Sequence, residues 1–419
     1  MRTIKNLGVD SEIGTLQKVI LHYPDAGILR VSPKKSADLL FDDIVYLPAM
    51  QAEHKVFADI LRKLIGKENV LETQILLQES LGVNELHREK LIQSLVDYEE
   101  LPKSIGANLG AKSDQDLAES LITGYDASDE RVLFDPIPNF LFTRDICVAL
   151  NEHFLITKAA KQARTRENYL TRFILYNHPL FSIPRQSGKI IDLSVLDTFP
   201  PSKKGEPVSM EGGDVMILNK DYVLIGISER TNLHAFHSLK SYLFDHEVVS
   251  NVVMFNIPSD RSFMHIDTII TQIDVHRFVG YKPIIQDGFS SYVEVHRHTG
   301  ETQYYVTLKE FLWNEISTEI EIVWAGGGET PSQEREQWTD GCNLLAVAPG
   351  VAITYDRNPV TASALHQVGY HILPAREFLD YSTAEADNLK QTIITIPSAE
   401  LSRARGGPHC LSCPIQRAS

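Results

Sequence analysis

Near its C-terminal end the chain reads Arg405-Gly406-Gly407-Pro408-His409-Cys410-Leu411-Ser412-Cys413-Pro414. A cysteine that follows a Gly-Gly-Pro-His turn is a candidate nucleophile, because glycine lets backbone approach a ligand closely. A free thiol is only a few per cent ionised at neutral pH, so its surroundings must lower its pKa. A cationic substrate about 4 Å away supplies roughly 4 kcal/mol at an effective dielectric near 20. That is worth up to about 3 in the pKa of the thiol before solvent screening. Two other readings stay open on these residues alone: an inert buried thiol, and a redox or zinc role for the Cys410-x-x-Cys413 pair. No second C-x-x-C pair supports the latter.

Three further segments carry the polar groups such a thiol needs: Asn139 to Asp145 (NFLFTRD), Glu211 to Asp214 (EGGD) and His265 to Asp267 (HID). His265 and Asp267 stand at i and i+2, which on a strand gives them one face. A histidine beside a carboxylate can move protons while the thiol forms a covalent adduct. A core histidine with a satisfied hydrogen bond is the competing reading. In EGGD the two glycines allow a sharp turn that brings Glu211 and Asp214 to one pocket; a plain turn has the same signature. One thiol, one base and several carboxylates together suit a planar cation rich in donors. Guanidinium fits, because it pairs with carboxylates two hydrogen bonds at a time. His296 and His298 share the i, i+2 spacing, but their polar, hairpin-like context places them on the surface.

The elements that must position these residues fall into two textures. Lys18–His22 predicts a first strand and Ala49–Leu64 a helix with Val56, Ile60, Leu61 and Leu64 on one side. From about residue 71 to 129 apolar residues recur at three and four, with helices expected over Leu86–Tyr98 and Asp116–Gly124. The division expected is a catalytic α/β domain, 1–70 and 130–419, with a helical insertion, 71–129. Beyond that insertion a loose repeat runs through TRDICVALNEHFLITKAA, EGGDVMILNKDYVLIGIS, HIDTIITQIDVHRFVGY and DGCNLLAVAPGVAITYDRN. Each copy starts polar, runs into an apolar strand, turns, and enters a second strand. Helix-like segments follow at Asn232–Leu243 and Pro359–Val368. Asp145, Asp214, Asp267 and Asn343 hold comparable positions, and the N-terminal strand is a possible fifth unit. A ring of such units would gather the strand-start residues on one face; ordinary α/β hairpins are the alternative.

Composition bounds the function. The 419 residues are 43% hydrophobic and 23% charged, a globular balance. A formal net charge of −15 argues against nucleic acid as a partner and suits a small cationic ligand. Four cysteines in this length make no disulfide framework, and Cys147 and Cys342 read as buried thiols. The opening MRTIKNLGVDSEIG has no apolar stretch of the signal-peptide type, and no run approaches a membrane span, so a cytoplasmic location is expected.

FTRD, EGGD, HID, REQWTDGCNLLAVAPG and GGPHCLSCP, in this order over nearly the whole chain, resemble the guanidino-group-modifying enzymes. The resemblance is closest to the arginine deiminase family. It implies a five-bladed, pseudo-symmetric α/β propeller of ββαβ units with a helical insertion. It also implies hydrolysis of free L-arginine to L-citrulline and ammonia, with no metal or organic cofactor. By that resemblance Cys410 attacks the guanidinium carbon, Asp145 and Asp267 clamp its nitrogens, His265 is acid and base, and Glu211 orients His265. Asp214 is a weaker substrate contact. Arg164, Arg230, Arg405 and Asn139 match the group that holds the α-carboxylate, and Phe142 lines the pocket. Spacing alone does not decide between Arg164 and Arg166. The segment 282–328 departs from the family pattern and is expected to form a hairpin and loop between blades. Agmatine deiminase, an amidinotransferase and a silent arginine-binding protein remain as rivals, and a homo-oligomer stays open. The helical insertion, Arg230 and Arg405 favour free arginine.

Overall fold

In the computed structural model, residues 7–41, 43–195 and 208–418 are described. The opening residues 1–6, part of the stretch inspected for a leader, lie outside them. The fold is mixed α/β, built on five sheets of three or more strands and a separate two-stranded ribbon.

Each of the four repeat copies is an antiparallel hairpin followed by a third, parallel strand. Cys147–Leu150 pairs with His153–Ile156, which pairs in parallel with Ile190–Asp192. Val215–Asn219, Tyr222–Ile227 and Asn251–Asn256 repeat the pattern. So do Ile270–Asp274, Arg277–Gly280 and Glu321–Trp324. The last copy is Leu345–Ala348, Val351–Tyr355 and Thr392–Ile396, with His371–Pro374 added at its edge. The hairpin strands are buried almost throughout, which explains why they read as apolar runs and not as alternating strands. Helices Thr165–Asn177, Leu233–Asp245 and Pro359–Gln367 fill crossovers to the third strands.

The fifth sheet joins the two chain ends. Cys413–Ala418 runs antiparallel to Thr15–Leu21, which pairs in parallel with Val70–Glu72 across the helix Leu47–Ile65. It follows the same order as the others, with its first strand supplied from the C-terminus. Asp145, Asp214, Asp267, Asn343 and Cys410 therefore each precede the first strand of a unit by at most three residues.

The helices expected in the insertion are Glu85–Tyr98 and Asp114–Thr123, accompanied by Thr73–Leu81 and Lys103–Gly110. Asn84 caps the first of these through the His87 amide, and Ser113 caps the second through the Asp116 amide. Such caps are worth about 1 kcal/mol each. Leu77, Leu95 and Leu121 share one continuous core with Phe154 and Leu170 of the first repeat. Truncating such a leucine to alanine costs about 2–5 kcal/mol. Segment 282–328 does hold a hairpin, Tyr292–Arg297 with Thr302–Tyr305. It adds to the open edge of the second unit's sheet by pairing with Asn251–Asn256.

Candidate active site

The thiol sits where the fifth unit meets the others. Residues 408–411 form a turn just before the last strand, and Cys410 is buried. Asn343 holds it from two sides: its amide nitrogen lies 3.1 Å from Cys410 Sγ, and its Oδ1 accepts from the Cys410 N–H at 3.1 Å. Close approach explains the preceding glycines. A Cβ on Gly406 would stand 2.3 Å from the Phe142 ring, and one on Gly407 would stand 2.7 Å from the Asn343 carbonyl. Asp267 Oδ2 lies 3.4 Å from Sγ.

His265 enters from the third unit. The HID segment is not a strand as expected: Ile266–Thr268 is a 3-10 turn with His265 as its extended N-cap. The tight turn sends His265 into the cavity and Asp267 beneath the thiol, where i, i+2 strand geometry would have placed them on one face. Glu211 Oε2 accepts from His265 Nε2 at 3.0 Å, and Asp145 Oδ1 lies 3.7 Å from Nδ1. Gly213 is required for this contact, since a Cβ there would meet the His265 ring at 2.6 Å. Burial alone would lower the His265 pKa, but Asp145, Glu211 and Asp214 outweigh it and raise it to about 10. The ring is therefore an imidazolium at neutral pH.

Glu211 is the counterpart. Burial works against its charge, yet Arg164, His265 and Arg230 together hold it ionised well below the usual carboxylate range. The Cys410 thiol moves the other way: burial first, then Asp267, Asp145 and Asp340, push it well above its ordinary value. In the absence of a substrate cation the thiol is protonated.

Fourteen residues line the cavity at this point, among them Asn139, Phe142, Asp145, Arg164, Glu211, Arg230, His265, Arg405 and Cys410. The structure thus brings together nine of the eleven sequence-predicted residues. Asp267 lies just below the thiol. Asp214 does not line the cavity; its Oδ2 accepts from Ser228 Oγ at 2.6 Å and its Oδ1 from the Ile266 amide at 3.1 Å. It braces the turn that carries His265, and burial raises its pKa to about 7.

Arg164 has a different placement from the one expected of a carboxylate-binding residue. Its Nη1 donates to Asp145 Oδ2 at 2.7 Å and to Glu211 Oε2 at 3.0 Å, and its Nε to Glu167 Oε2 at 2.8 Å. A guanidinium therefore already occupies the carboxylate cluster. The free space beside it is about 30 Å³, room for little more than a water. Arg166 is turned elsewhere: it donates to Glu99 and the Leu121 carbonyl and stacks on Phe134. Of the two, only Arg164 faces the cavity. Arg230 contacts Glu211 Oε1 at 3.5 Å, and the Asn139 amide donates to the Leu39 carbonyl.

Arg405 lies with its guanidinium 3.5 Å over the Trp338 ring and has a left-handed backbone, φ 62°. That conformation costs a side-chain-bearing residue about 1–2 kcal/mol. The stack and the tight Gly406 contact hold it in place.

Sequence reasoning missed Arg261, Met264 and Thr268 in the cavity wall and Asn343 against the thiol. Asn343 was legible as a strand-start position of the repeat, and Arg261 as a basic residue just ahead of HID. Asp145, Glu211 and His265 also lie close enough to share a metal ion, their ligand atoms within 4.8 Å of one another. Arg164 Nη1 bonds two of the three, so the donor set already serves a guanidinium. All four cysteines are buried and free; Cys413 faces the Cys147 carbonyl and not Cys410. His298 is exposed as expected, but His296 is largely covered, with its ring against Phe236. Among the described residues no helix is long and apolar enough to cross a membrane.

Fold and site define an α/β protein in which a buried cysteine, a histidine and a cluster of carboxylates meet at one small cavity. Residues 37–417 match the family described as ADI: Arginine deiminase. Proteins named arginine deiminase are similar over their full length. That of Treponema denticola is 31% identical, covering 98% of each chain. That of Listeria monocytogenes is 32% identical over 100% of this chain and 99% of its own. That of Bacillus cytotoxicus is 33% identical over 98% of each. A solved structure of a mutant DDAH from Pseudomonas aeruginosa complexed with citrulline shares the fold, with TM-score 0.51 and 12% identity over 95% of this chain and 99% of that one. The chain belongs to the arginine deiminase family.

Proposed function

We propose that this protein hydrolyses free L-arginine to L-citrulline and ammonia through a covalent thiouronium on Cys410. The observation that carries the reading is the guanidinium of Arg164 seated between Asp145 and Glu211, one cavity wall away from a thiol. The site accommodates a guanidinium in its resting state, so a substrate guanidinium can displace it and bond the carboxylates nearer the thiol.

Asp145 and Asp267 then clamp the substrate nitrogens and hold the guanidinium carbon over Sγ. The added cation lowers the thiol pKa, and the thiol gives its proton to solvent water. The thiolate adds to the guanidinium carbon. The His265 imidazolium protonates one nitrogen, and the C–N bond breaks to release ammonia. The ring, now neutral, takes a proton from water. The hydroxide adds to the thiouronium carbon, the new hydroxyl gives its proton to solvent as the C–S bond breaks, and the thiolate is restored with citrulline as product. Glu211 stabilises the imidazolium at both stages.

Arg164, displaced from the carboxylates, joins Arg230, Arg405 and Asn139 at the substrate's carboxylate end, with Phe142 as the wall. Arg405 favours arginine over agmatine, since a cation there repels the guanidinium end and suits a carboxylate. We read the five sheets as the blades of an α/β propeller, with 71–129 as a helical insertion in a catalytic domain of 1–70 and 130–419. Cytoplasmic residence, no metal or organic cofactor, and possible homo-oligomers complete the reading. The experiment is product analysis with L-arginine, agmatine in parallel and Cys410→Ala as control. Citrulline and ammonia from arginine, abolished by Cys410→Ala, are expected. Turnover of agmatine alone, or arginine turnover retained in Cys410→Ala, would overturn the reading.

A further inference from the structure

His409 precedes the nucleophile and points away from the cavity. Its Nδ1 lies 2.9 Å from Asp267 Oδ2, and its Nε2 lies 3.3 Å from Glu12 Oε2. Glu12 is fixed in turn. Its Oε1 accepts from Arg144 Nη2 at 2.8 Å and from the Ile217 amide at 3.1 Å, and its own amide bonds the Ile217 carbonyl. Glu12, Arg144, Asp267 and His409 are all buried. The result is one chain of contacts, Arg144–Glu12–His409–Asp267–Cys410, on the side of the thiol away from His265.

A ring between two carboxylates can satisfy both only when both its nitrogens carry protons. Were it neutral, one nitrogen lone pair would face a buried carboxylate. The charged groups acting on His409 are Asp267 and Glu12, which favour the imidazolium, and Arg144, which opposes it; with burial included the balance still raises its pKa. Arg417 acts on Glu12 from the far side. The same contact matters to Cys410, because Asp267 is the nearest charge that suppresses thiolate formation. Asp267 Oδ1 has no hydrogen-bond partner among the described residues, so His409 engages one oxygen and leaves the other for an incoming N–H.

We propose that Glu12 and His409 are positioning residues: Glu12 holds His409 as an imidazolium against Asp267, and this pair fixes that carboxylate beneath Cys410 and offsets its charge at the thiol. Neither residue touches the cavity, and both act through Asp267. The inference rests on the deiminase reading for its purpose but not for its test.

The test is the pH dependence of Cys410 alkylation by iodoacetamide in the unliganded protein, with Cys410→Ala to identify the site. In Glu12→Gln the midpoint for thiolate formation moves to higher pH, slowing alkylation at fixed pH by about tenfold or more, the equivalent of one pKa. His409→Asn keeps a donor toward Asp267 but loses the charge, and slows alkylation likewise. The value of kcat/KM for L-arginine falls in both. A merely structural role predicts the opposite sign, since a loosened turn exposes the thiol and speeds its reaction. Alkylation that is unchanged or faster in His409→Asn overturns the inference even if Glu12→Gln does not fold. Absence of arginine turnover in the unaltered protein would instead overturn the deiminase reading and leave the alkylation result to stand by itself.

Discussion

The proposed reaction gives Arg164 two incompatible tasks in this site, and two ligands that differ in their need for it separate them. At rest its guanidinium makes charge-assisted hydrogen bonds to Asp145 and Glu211. Each such bond is worth about 1.5–3 kcal/mol, so roughly 3–6 kcal/mol must be given up before a substrate guanidinium can enter. L-arginine offsets that with equivalent bonds of its own to Asp145 and Asp267 and gains the displaced Arg164 as a partner for its carboxylate. Methylguanidine recovers the bonds and gains nothing more. Arg164→Met removes the resident competitor and the anchor together. Glu167, left behind, tolerates the change, because burial already raises its pKa to about 7 and a proton can neutralise it. Methylguanidine should bind at least about tenfold more tightly, using only about 1.4 kcal/mol of the released competition. The kcat/KM for L-arginine should fall about a hundredfold, the loss of one buried ion pair of about 3 kcal/mol. Calorimetric titration of both ligands in a Cys410→Ala background gives the affinities, and citrulline formation gives the rate. If methylguanidine and arginine weaken by the same factor, Arg164 is a strut of the carboxylate cluster and the exchange argument is wrong.

Glu211→Gln takes away the carboxylate hydrogen-bonded to the His265 ring; the ring should lose its proton at a lower pH than the present value of about 10, and kcat should drop about 10²–10⁴-fold. A pH–rate profile that superimposes on that of the parent would remove Glu211 from the proton chemistry. Arg405→Ala loses the cation stacked on Trp338, and its kcat/KM loss should be about tenfold greater for L-arginine than for agmatine, as one ion pair to a carboxylate warrants; equal losses would refute a carboxylate role. Stability should also depend on pH in a defined sense. Asp214, Glu167 and Asp340 have pKa values raised to about 7, so each binds its proton more tightly when folded, and stability falls as pH rises through that range. His265 adds stability below its ordinary 6.5 that is lost as pH climbs through about 10. Glu211, Glu12 and Asp267 are lowered, and their contribution disappears only as pH falls below the ordinary carboxylate range. The thermal midpoint should therefore be higher at about pH 5.5 than at about pH 8.5, and the reverse order would contradict these assignments.

The strand-start residues were legible in the sequence because repetition makes them so. Asp145, Asp214, Asp267 and Asn343 each interrupt an apolar run at the same point, and each precedes the first strand of a sheet. The fifth member was only half legible: the N-terminal strand was a candidate fifth unit, but its partner Cys413–Ala418 comes from the opposite end of the chain and no local pattern joins them. His265 and Asp267 both lie beside Cys410, but a 3-10 turn replaces the strand geometry expected for them; periodicity cannot separate the two over three residues. Asp214 shows the limit of motif reasoning. It shares EGGD with Glu211, yet the turn at Gly212–Asp214 sends one carboxylate into the cavity and the other under the turn that carries His265. Glu12 carried no signal at all. Its importance comes from Ile217 and Arg144, more than a hundred residues away, and only the folded chain brings them together.

The resting occupancy by Arg164 follows from the electrostatics of the site. Asp145 and Glu211 line the cavity, and Glu167, Asp267 and Glu12 are buried behind it; buried carboxylates that lack cations would be strongly destabilising. A site built to receive a guanidinium is, before it receives one, a cluster of such carboxylates. The chain supplies the missing charge itself: Arg164 on Asp145 and Glu211, His265 on Glu211, and His409 between Asp267 and Glu12. Substrate binding then exchanges one guanidinium for another, so the buried carboxylates are not left uncompensated at any stage. In the proposed reaction the incoming guanidinium bonds Asp267, which lies 3.4 Å from Sγ, whereas the resident one bonds Asp145 and Glu211, so the thiol is the group that meets a new cation. The same exchange that stabilises the empty site thus confines nucleophile activation to the occupied one.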